Sequence, residues 1–422
     1  MWIPKRDQFE FWINTAKERG YFNESNRIVI AIDLSNILYQ LIAETPNLIN
    51  ALNDIIPYLM DSILTTFRGI GAYRRYCVDL GLDPYVVLFA DIGESKYHLS
   101  LYPDYKLHRH VRPDYIVESI PSLKKIYDEY GYNRNIKKAP DTHNDLISVG
   151  RLWARRYILD ALRHIINFMP NTRCIVLDNM EADFIPFYLE HYKIKAGLYI
   201  TNSADNDMLQ NINQRHCIIH KRYNIITYRN IDKFIASHII GDDVIVPSVS
   251  EYYCLYKAIA GDSADHVKGV RGYGKKKAVK VVQEFASHIK RHNIILYEDD
   301  DGSEDILEKY AKILPECKSL STAFKKYGED ETVSTILLCL RLVDFDIISR
   351  TIRKQPAYKR VVDVIDMLID DESYSDKDTF LSILDEMFAP VKEKMPNVNI
   401  PSEVCRTDNY WSNILANCFI GV

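Results

Sequence analysis

Eight carboxylates fall into four local groups along the chain: Asp33 and Asp91, Glu181 and Asp183, Asp205 and Asp207, and Asp262 and Asp265. Any one of these acids alone would more often be a helix cap or a turn residue. Their occurrence together, in this order, is much harder to explain as accident. Carboxylate oxygens are the ligands that Mg²⁺ prefers. Because eight converging carboxylates would otherwise repel one another, the set predicts bound divalent metal. Two such ions can activate a water, neutralise a phosphate and stabilise a leaving oxygen.

Five short apolar runs must position these acids. They cover residues 28–33, 86–91, 174–177, 198–201 and 217–219. Near-continuous apolar runs separated by helical stretches are typical of buried parallel strands in an α/β domain. Ligands of such sheets bind beyond the carboxyl ends of the strands. Asp33 and Asp91 lie at such ends, so the sequence places chemistry at that edge.

The rest of the chain reads as mostly helical. Residues 1–27 contain apolar residues at helical spacing, namely Phe9, Trp12, Ile13 and Ala16, and we expect this extension to pack on the main domain. Residues 247–290 show two helical patterns around a Gly-rich turn, and the pattern after about residue 307 is again helical. Two acidic runs, at 298–302 and 370–376, are interpreted as solvated surface.

Bulk properties restrict the class of protein. The 422 residues suffice for one large core or two to three domains, and no apolar run approaches the roughly 20 residues of a membrane helix. The N-terminus lacks the apolar core of a signal peptide, and the eight cysteines form no C-x-x-C pair, so we expect a cytosolic protein with reduced thiols. The net charge of −5 argues against nucleic-acid binding only weakly, because the distribution of charge matters more than its sum.

These acidic segments resemble those of the flap endonucleases and 5′→3′ exonucleases, most of all the phage-type ribonuclease H and 5′-exonucleases. The resemblance covers roughly residues 28–285, with a fainter match at 342–346. It implies a first metal group of Asp33, Asp91, Glu181, Asp183 and Asp205 and a second of Asp207, Asp262 and Asp265. All eight positions are acids here, which favours an active enzyme over a degenerate homologue.

The same resemblance assigns roles to a basic segment at 102–109. It implies that Lys106 and Arg109 project toward the scissile phosphate, with Tyr105 among the DNA-binding residues. A cation beside the attacked phosphate would stabilise its developing charge. The surrounding stretch, 95–145, lies where the family has an arch or clamp that could guide a single strand by stacking and charge. Its basic candidates are Lys96, His110, Arg112, Lys124, Lys125, Arg134, Lys137 and Lys138.

The Gly-rich turn at 267–278 resembles the family's helix-hairpin-helix. Gly269, Gly272 and Gly274 would let the backbone turn tightly and approach a phosphate. The free N–H groups of the following helix can bind that phosphate, and Lys275, Lys276 and Lys277 add positive charge. We therefore expect this turn to bind the duplex.

Three positions depart from the family pattern. His98 stands where Arg is frequent, Phe184 where many relatives carry another acid, and His266 where Asn is usual. The departures leave the metal ligands intact and concern substrate contacts and cleavage preference.

The sequence predicts an α/β fold: a PIN-like 5′-nuclease domain at 28–246 with a central, mostly parallel sheet, a helix-hairpin-helix module at 247–290 and a helical C-terminal region at 291–422. The expected activity is hydrolysis of phosphodiesters from the 5′ side of a junction, by two metal ions, in the removal of RNA primers. A PIN-type ribonuclease, which would not need Asp262 or Asp265, and a non-catalytic DNA-junction binder are the alternatives.

The resemblance also implies the cofactors and partners. The cofactor would be Mg²⁺, as two ions that Mn²⁺ can replace, with a monovalent cation at the hairpin. Substrates would be DNA with a 5′ flap, a fork or a nick, and RNA–DNA primer hybrids. A replication clamp or a single-strand-binding protein would be further partners. We expect a monomer without membrane contact, in the host cytoplasm if the chain is phage-encoded.

Overall fold

The computed structural model describes residues 3–43, 56–106, 158–220 apart from 161 and 164, 224–241, 245–298, 302–370 and 382. For 39–43 and 56–64 it describes the backbone alone. Arg109 and the basic candidates from His110 to Lys138 lie outside these ranges, so their predicted roles stay predictions.

A six-stranded sheet forms the centre of the described part of the chain. Its strands are β1 (Arg27–Asp33), β2 (Asp83–Ile92), β3 (Thr172–Asp178), β4 (Leu198–Asn202), β5 (His216–His220) and β6 (Asn224–Ile226). Their spatial order is β3-β2-β1-β4-β5-β6, with the first five parallel and β6 antiparallel to β5. The predicted α/β class, its mostly parallel sheet and the five predicted strands are confirmed. Strand β6 was not predicted, because three residues are too short to show a pattern.

Helices surround the sheet and continue beyond it. Before β3 the structure has α1 (Arg6–Glu18), α2 (Leu34–Ala43), α3 (Ile56–Asp79) and α4 (Lys96–Leu101). Between β3 and the Gly-rich turn it has α5 (Ile185–Tyr188), α6 (Ile231–Phe234), α7 (Pro247–Glu251) and α8 (Tyr253–Ala260). After the turn come α9 (Lys275–His292), α10 (Ser303–Ile313), α11 (Ser321–Tyr327), α12 (Glu329–Val343), α13 (Phe345–Lys354) and α14 (Lys359–Asp370). π-helical turns extend α5 and α6 over Leu189–Lys193 and Ile235–Ile240, and 3₁₀ turns cover Asn206–Asn211, Leu314–Glu316, Lys318–Leu320 and Pro356–Tyr358.

Both faces of the sheet are buried, which explains the continuous apolar runs. Ile28 and Ile30 of β1 pack with Phe9 and Ile13 of α1 on one face, as expected for the N-terminal helix. Val29 belongs to the core of the other face, which continues without a break into the helices from α8 to α14. The C-terminal helices therefore share a core with the sheet that carries the acids. No helix among the described residues is long and apolar enough to cross a membrane.

Candidate metal centre

The eight predicted acids follow elements that converge at one edge of the sheet. Asp33 ends β1 and Asp91 is the penultimate residue of β2. Glu181 and Asp183 follow β3, while Asp205 and Asp207 follow β4 at the start of the 3₁₀ turn. Because β3, β2, β1 and β4 are adjacent and parallel, their carboxyl ends meet. The remaining pair, Asp262 and Asp265, comes directly after α8.

The five acids of the first group are close enough to repel one another. Burial raises the pKa of Asp33 to about 6, and the charges of Asp205 and Asp91 act in the same direction. Burial, with repulsion from Asp207, likewise raises the pKa of Asp205 to about 6. The pKa of Asp183 lies well above its usual range, because this carboxyl is buried beside Asp205 and Glu181. Such a cluster favours a bound cation over ionised carboxylates left unpaired.

The second group forms a compact set of oxygen donors. One carboxylate oxygen from each of Asp207, Asp262 and Asp265 lies within 4.8 Å of the other two. Burial raises the pKa of Asp207, whereas Lys257 outweighs burial at Asp262 and lowers the pKa of that carboxyl. Oxygen-only donors of this kind fit a hard divalent cation such as Mg²⁺ or Mn²⁺.

Two lysine side chains bridge the carboxylates. The ammonium of Lys106 contacts Glu181 and lies 3.5 Å from Oδ1 of Asp265, so it joins the two groups. The ammonium of Lys257 contacts Asp207 and lies 2.6 Å from Oδ2 of Asp262. Burial disfavours the charged form of Glu181, but its positive neighbours, Lys106 among them, outweigh burial and lower its pKa to about 2.

Sequence reasoning missed Lys257, and a local signal was available. It is the one basic residue of α8, whose sequence is otherwise apolar or aromatic, and the helix ends just before Gly261 and Asp262. A lone cation on such a helix is buried only where acids offset its charge.

Two serines orient acids of the first group. The Ser203 hydroxyl donates to Oδ2 of Asp33 at 2.6 Å and accepts the backbone N–H of Asp205 at 3.0 Å. The Ser35 hydroxyl donates to Oδ1 of Asp91 at 3.1 Å. Hydrogen bonds of this type fix the direction of a ligating carboxylate. The sequence gives no specific signal for these serines, since each is one of many near an acid.

Tyr105 and His98 lie behind the acids. The Tyr105 hydroxyl is 2.9 Å from Oε2 of Glu181 and 3.2 Å from Oδ2 of Asp265. Its ring is buried and stacks on His98 with 4.5 Å between ring centroids. The ring face is therefore not open to a nucleobase in this conformation, and the place of Tyr105 among the DNA-binding residues stays a prediction. Phe184 is buried in the apolar core and supplies no further ligand.

The Gly-rich turn is joined directly to the second acid group. Asp262 and Val267 exchange backbone hydrogen bonds of 2.7 and 2.8 Å, and the Val270 N–H donates to Ile259 O of α8 at 2.9 Å. Gly269 and Gly272 have left-handed backbones, with φ of +59° and +80°. Gly274 does not: its φ is −93° and it precedes the first residue of α9. Its expected role in the tight turn is thus wrong, because an extended backbone there is open to any residue.

The three lysines of the turn are exposed. Lys275, Lys276 and Lys277 form the first turn of α9. The Lys275 ammonium contacts Ile239 O, and that of Lys277 donates to Gly272 O at 2.9 Å. The structure thus presents a positive surface next to the acidic centre. Lys96, the described candidate of the basic stretch, is also exposed, at the start of α4.

Taken together, the fold and the site define an α/β protein with a largely half-buried, oxygen-only acidic centre beside an exposed basic turn. No protein-family model matches the chain. A 5′-3′ exonuclease of Mycoplasmopsis pulmonis is 34% identical over 132 residues, which cover 31% of this chain and 40% of that protein. A DNA polymerase I of Caldicellulosiruptor bescii is 27% identical over 189 residues, or 42% of this chain and 19% of that protein. The similarity to 5′→3′ exonucleases predicted from the motifs is confirmed, and the chain spans less than half the length of either relative.

Among solved structures, a T5 5′-exonuclease with bound zinc ions matches with a TM-score of 0.47 at 14% identity. The match covers 82% of this chain and 98% of that one.

Proposed function

We propose that the chain is a divalent-metal-dependent 5′-nuclease that hydrolyses phosphodiesters of branched or primer-bearing DNA. The observation that carries the proposal is the convergence of eight acids with the half-buried Lys106 and the buried Lys257 at one sheet edge, directly joined to an exposed basic turn. The similarity to a 5′-3′ exonuclease supports it.

The residues divide the work as follows. The carboxylates would hold two divalent ions, Mg²⁺ or Mn²⁺, whose chemistry when bound is to activate a water and to neutralise the phosphate. Lys106 holds positive charge between the two acid groups, where it can stabilise charge that develops on a bound phosphate. Lys257 limits the repulsion within the second group, and the exposed lysines of α9 bind duplex phosphates. The same proposal includes a monovalent cation at the turn and the removal of RNA primers. It also includes a clamp or single-strand-binding partner and a cytoplasmic location.

The test is cleavage of a 5′-labelled flap substrate with and without Mg²⁺, beside an Asp205→Asn variant. We expect the wild type alone to release a fragment, only with metal, because the variant lacks a carboxylate of the first group. The size of the fragment distinguishes cutting at the junction from stepwise removal of nucleotides. Unchanged turnover by the variant would show that Asp205 is not a ligand.

Two other outcomes would replace the proposal. Equal cutting of free single-stranded RNA, without any duplex, would identify a PIN-type ribonuclease. Tight junction binding without cleavage in Mg²⁺ or Mn²⁺ would identify a non-catalytic junction binder.

A further inference from the structure

The side chain of Gln210 connects three parts of the molecule beside the second acid group. Its Nε2 donates to Asp207 O at 3.0 Å and to Val343 O at 3.1 Å. Its Oε1 accepts the backbone N–H of Phe345 at 2.8 Å and the thiol of Cys254 at 3.1 Å. A carboxamide has two N–H donors and two acceptor lone pairs, so every one is used. The reverse amide orientation would set oxygen against two carbonyls, so the network determines the orientation.

Each of the three parts bears on the acids. Asp207 is itself a member of the second group, in the 3₁₀ turn that Gln210 shares. Cys254 belongs to α8, the helix whose Lys257 contacts Asp207 and Asp262. Val343 and Phe345 belong to the junction where α12 ends and α13 begins. Gln210 therefore fixes the distance between an acid, its lysine and the C-terminal helices.

The same junction also supports the other side of the centre. The Tyr97 hydroxyl donates to Arg341 O at 2.9 Å, and Nε2 of His98 lies 3.1 Å from Leu342 O. His98 in turn stacks on Tyr105, whose hydroxyl reaches Glu181. Consecutive backbone carbonyls at 341, 342 and 343 thus each accept a hydrogen bond from a side chain beside the acids.

We propose that Gln210 is a positioning residue for the second carboxylate group. Through the hydrogen bonds of Gln210, the α12–α13 junction is a structural part of the metal centre. The inference rests on the proposed metal dependence. Without the carboxamide, the carbonyls of Asp207 and Val343 and the N–H of Phe345 lose their shared partner. The 3₁₀ turn can then shift relative to α8, and this shift moves the Asp207 carboxylate out of its position beside Asp262.

Direct Mn²⁺ binding to the full chain, by calorimetry and electron paramagnetic resonance without nucleic acid, tests this. The variants are Gln210→Met, which keeps the length of the side chain, and Gln210→Glu, which turns an oxygen toward two carbonyls. The control is Thr332→Val, which removes the part-buried hydrogen bond from Thr332 Oγ1 in α12 to O of Gly328, the residue before that helix, far from the junction in sequence. We expect both Gln210 variants to bind one class of Mn²⁺ ion about 10- to 100-fold more weakly. The other class and the control should be unchanged.

The outcomes separate this inference from the proposed function. Wild-type Mn²⁺ affinity in either folded Gln210 variant would overturn it, as would an equal loss in Thr332→Val. Recovery of flap cleavage by Gln210→Met at high Mn²⁺, with KM for DNA unchanged, would support it further. A wild type that binds Mn²⁺ but cuts no flap would defeat the proposed function and leave the role of Gln210 standing.

Discussion

The charge balance of the metal centre depends on individual lysines. Lys257 is buried, with carboxylates of Asp207 and Asp262 as partners. Removing one partner of a buried ion pair lowers the stability of the fold far more than replacing both partners by apolar residues, because the other charge stays buried and uncompensated. Lys257 is therefore required for the stability of the metal-free protein, whatever its part in the reaction.

Replacing Lys257 by Met should destabilise the metal-free protein by about 3 kcal/mol. The loss should be smaller with saturating Mn²⁺, because the metal neutralises the same carboxylates. Urea unfolding in EDTA and in Mn²⁺ measures both values. Lys312→Met, whose side chain is 76% exposed on α10, serves as the control and should change neither. An equal loss for Lys257→Met in both conditions would contradict this account.

Residues of the centre could be predicted from sequence only where their signal is local. The acids occur as pairs or at strand ends, so their pattern is visible within a few positions. Lys257 has a local signal as the lone cation of α8, but its partner Asp207 lies 50 positions away, and Gln210 is 135 positions from Phe345. Such pairs arise from tertiary packing, which a local pattern does not encode.

At the scale of elements, two glycines of the Gly-rich turn distinguish the effect of backbone strain from the effect of steric crowding by neighbouring atoms. A Cβ at Gly269 would lie 2.4 Å from the backbone nitrogen of Gly261 and 2.6 Å from Ile259 O. A Cβ at Gly272 would meet no atom within 4 Å, although φ is left-handed at both positions. Only Gly269 therefore needs to lack a side chain for reasons of space.

We expect Gly272→Ala to cost about 1 kcal/mol, the strain of a left-handed alanine. Gly269→Ala should cost several times more, because it pushes Gly261 and with it Asp262 out of place. Its Mn²⁺ affinity should fall as well, whereas that of Gly272→Ala should not. Denaturant unfolding and Mn²⁺ titration of the two variants decide the matter, and equal losses would show that crowding at Gly269 is unimportant.

Asp344 is a buried carboxyl that caps α13. Its side chain accepts the backbone N–H groups of Asp346 and Ile347, and the Tyr297 hydroxyl donates to it at 2.8 Å. Burial, with repulsion from Asp346, raises the pKa of Asp344 to about 6 from its usual 3.8. The folded protein thus favours the protonated form. Stability from this group is full below the unfolded pKa and is lost as pH rises through about 6.

Asp344→Asn should therefore stabilise the protein at pH 8 by up to about 3 kcal/mol, which is the equivalent of the pKa difference. An asparagine oxygen can keep the cap, and its amide can donate to Tyr297. At pH 4, close to the unfolded pKa, the gain should fall below about 1 kcal/mol. The free energy of unfolding against pH, as the difference between the two proteins, is the measurement. A difference that does not change with pH would contradict the raised pKa.

The elements differ in how far the sequence specified them. Continuous apolar runs predicted the five parallel strands, because both faces of the sheet are buried. Strand β6 and the π-helical turns after α5 and α6 were not predicted, since they are short and depend on what packs beside them. The same limit applies to Gly274, whose backbone angle is set by the helix that follows it.

For the whole molecule, the sign of the net charge is a poor guide to its partners. Acids of the metal centre contribute to the sum of −5 but are buried or half-buried, whereas the lysines of α9 are exposed. A polyanion approaching the Gly-rich turn meets those lysines together with the positive end of the helix dipole. The objection to nucleic-acid binding raised by the net charge is thereby weakened.

The position of the exposed lysines predicts which residues make duplex binding depend on the salt concentration. Lys275→Ala combined with Lys276→Ala should weaken duplex binding and reduce the slope of log Kd against log salt by about 2, since each lost phosphate contact contributes about 0.9. Lys290→Ala combined with Arg291→Ala removes the same charge from the opposite end of α9, where both residues are exposed, and should leave the slope nearly unchanged. Fluorescence anisotropy of a flap duplex in Ca²⁺, from 50 to 300 mM salt, compares the two variants. If both pairs lower the slope equally, the duplex responds to the overall charge of the helix and the Gly-rich turn is not its binding site.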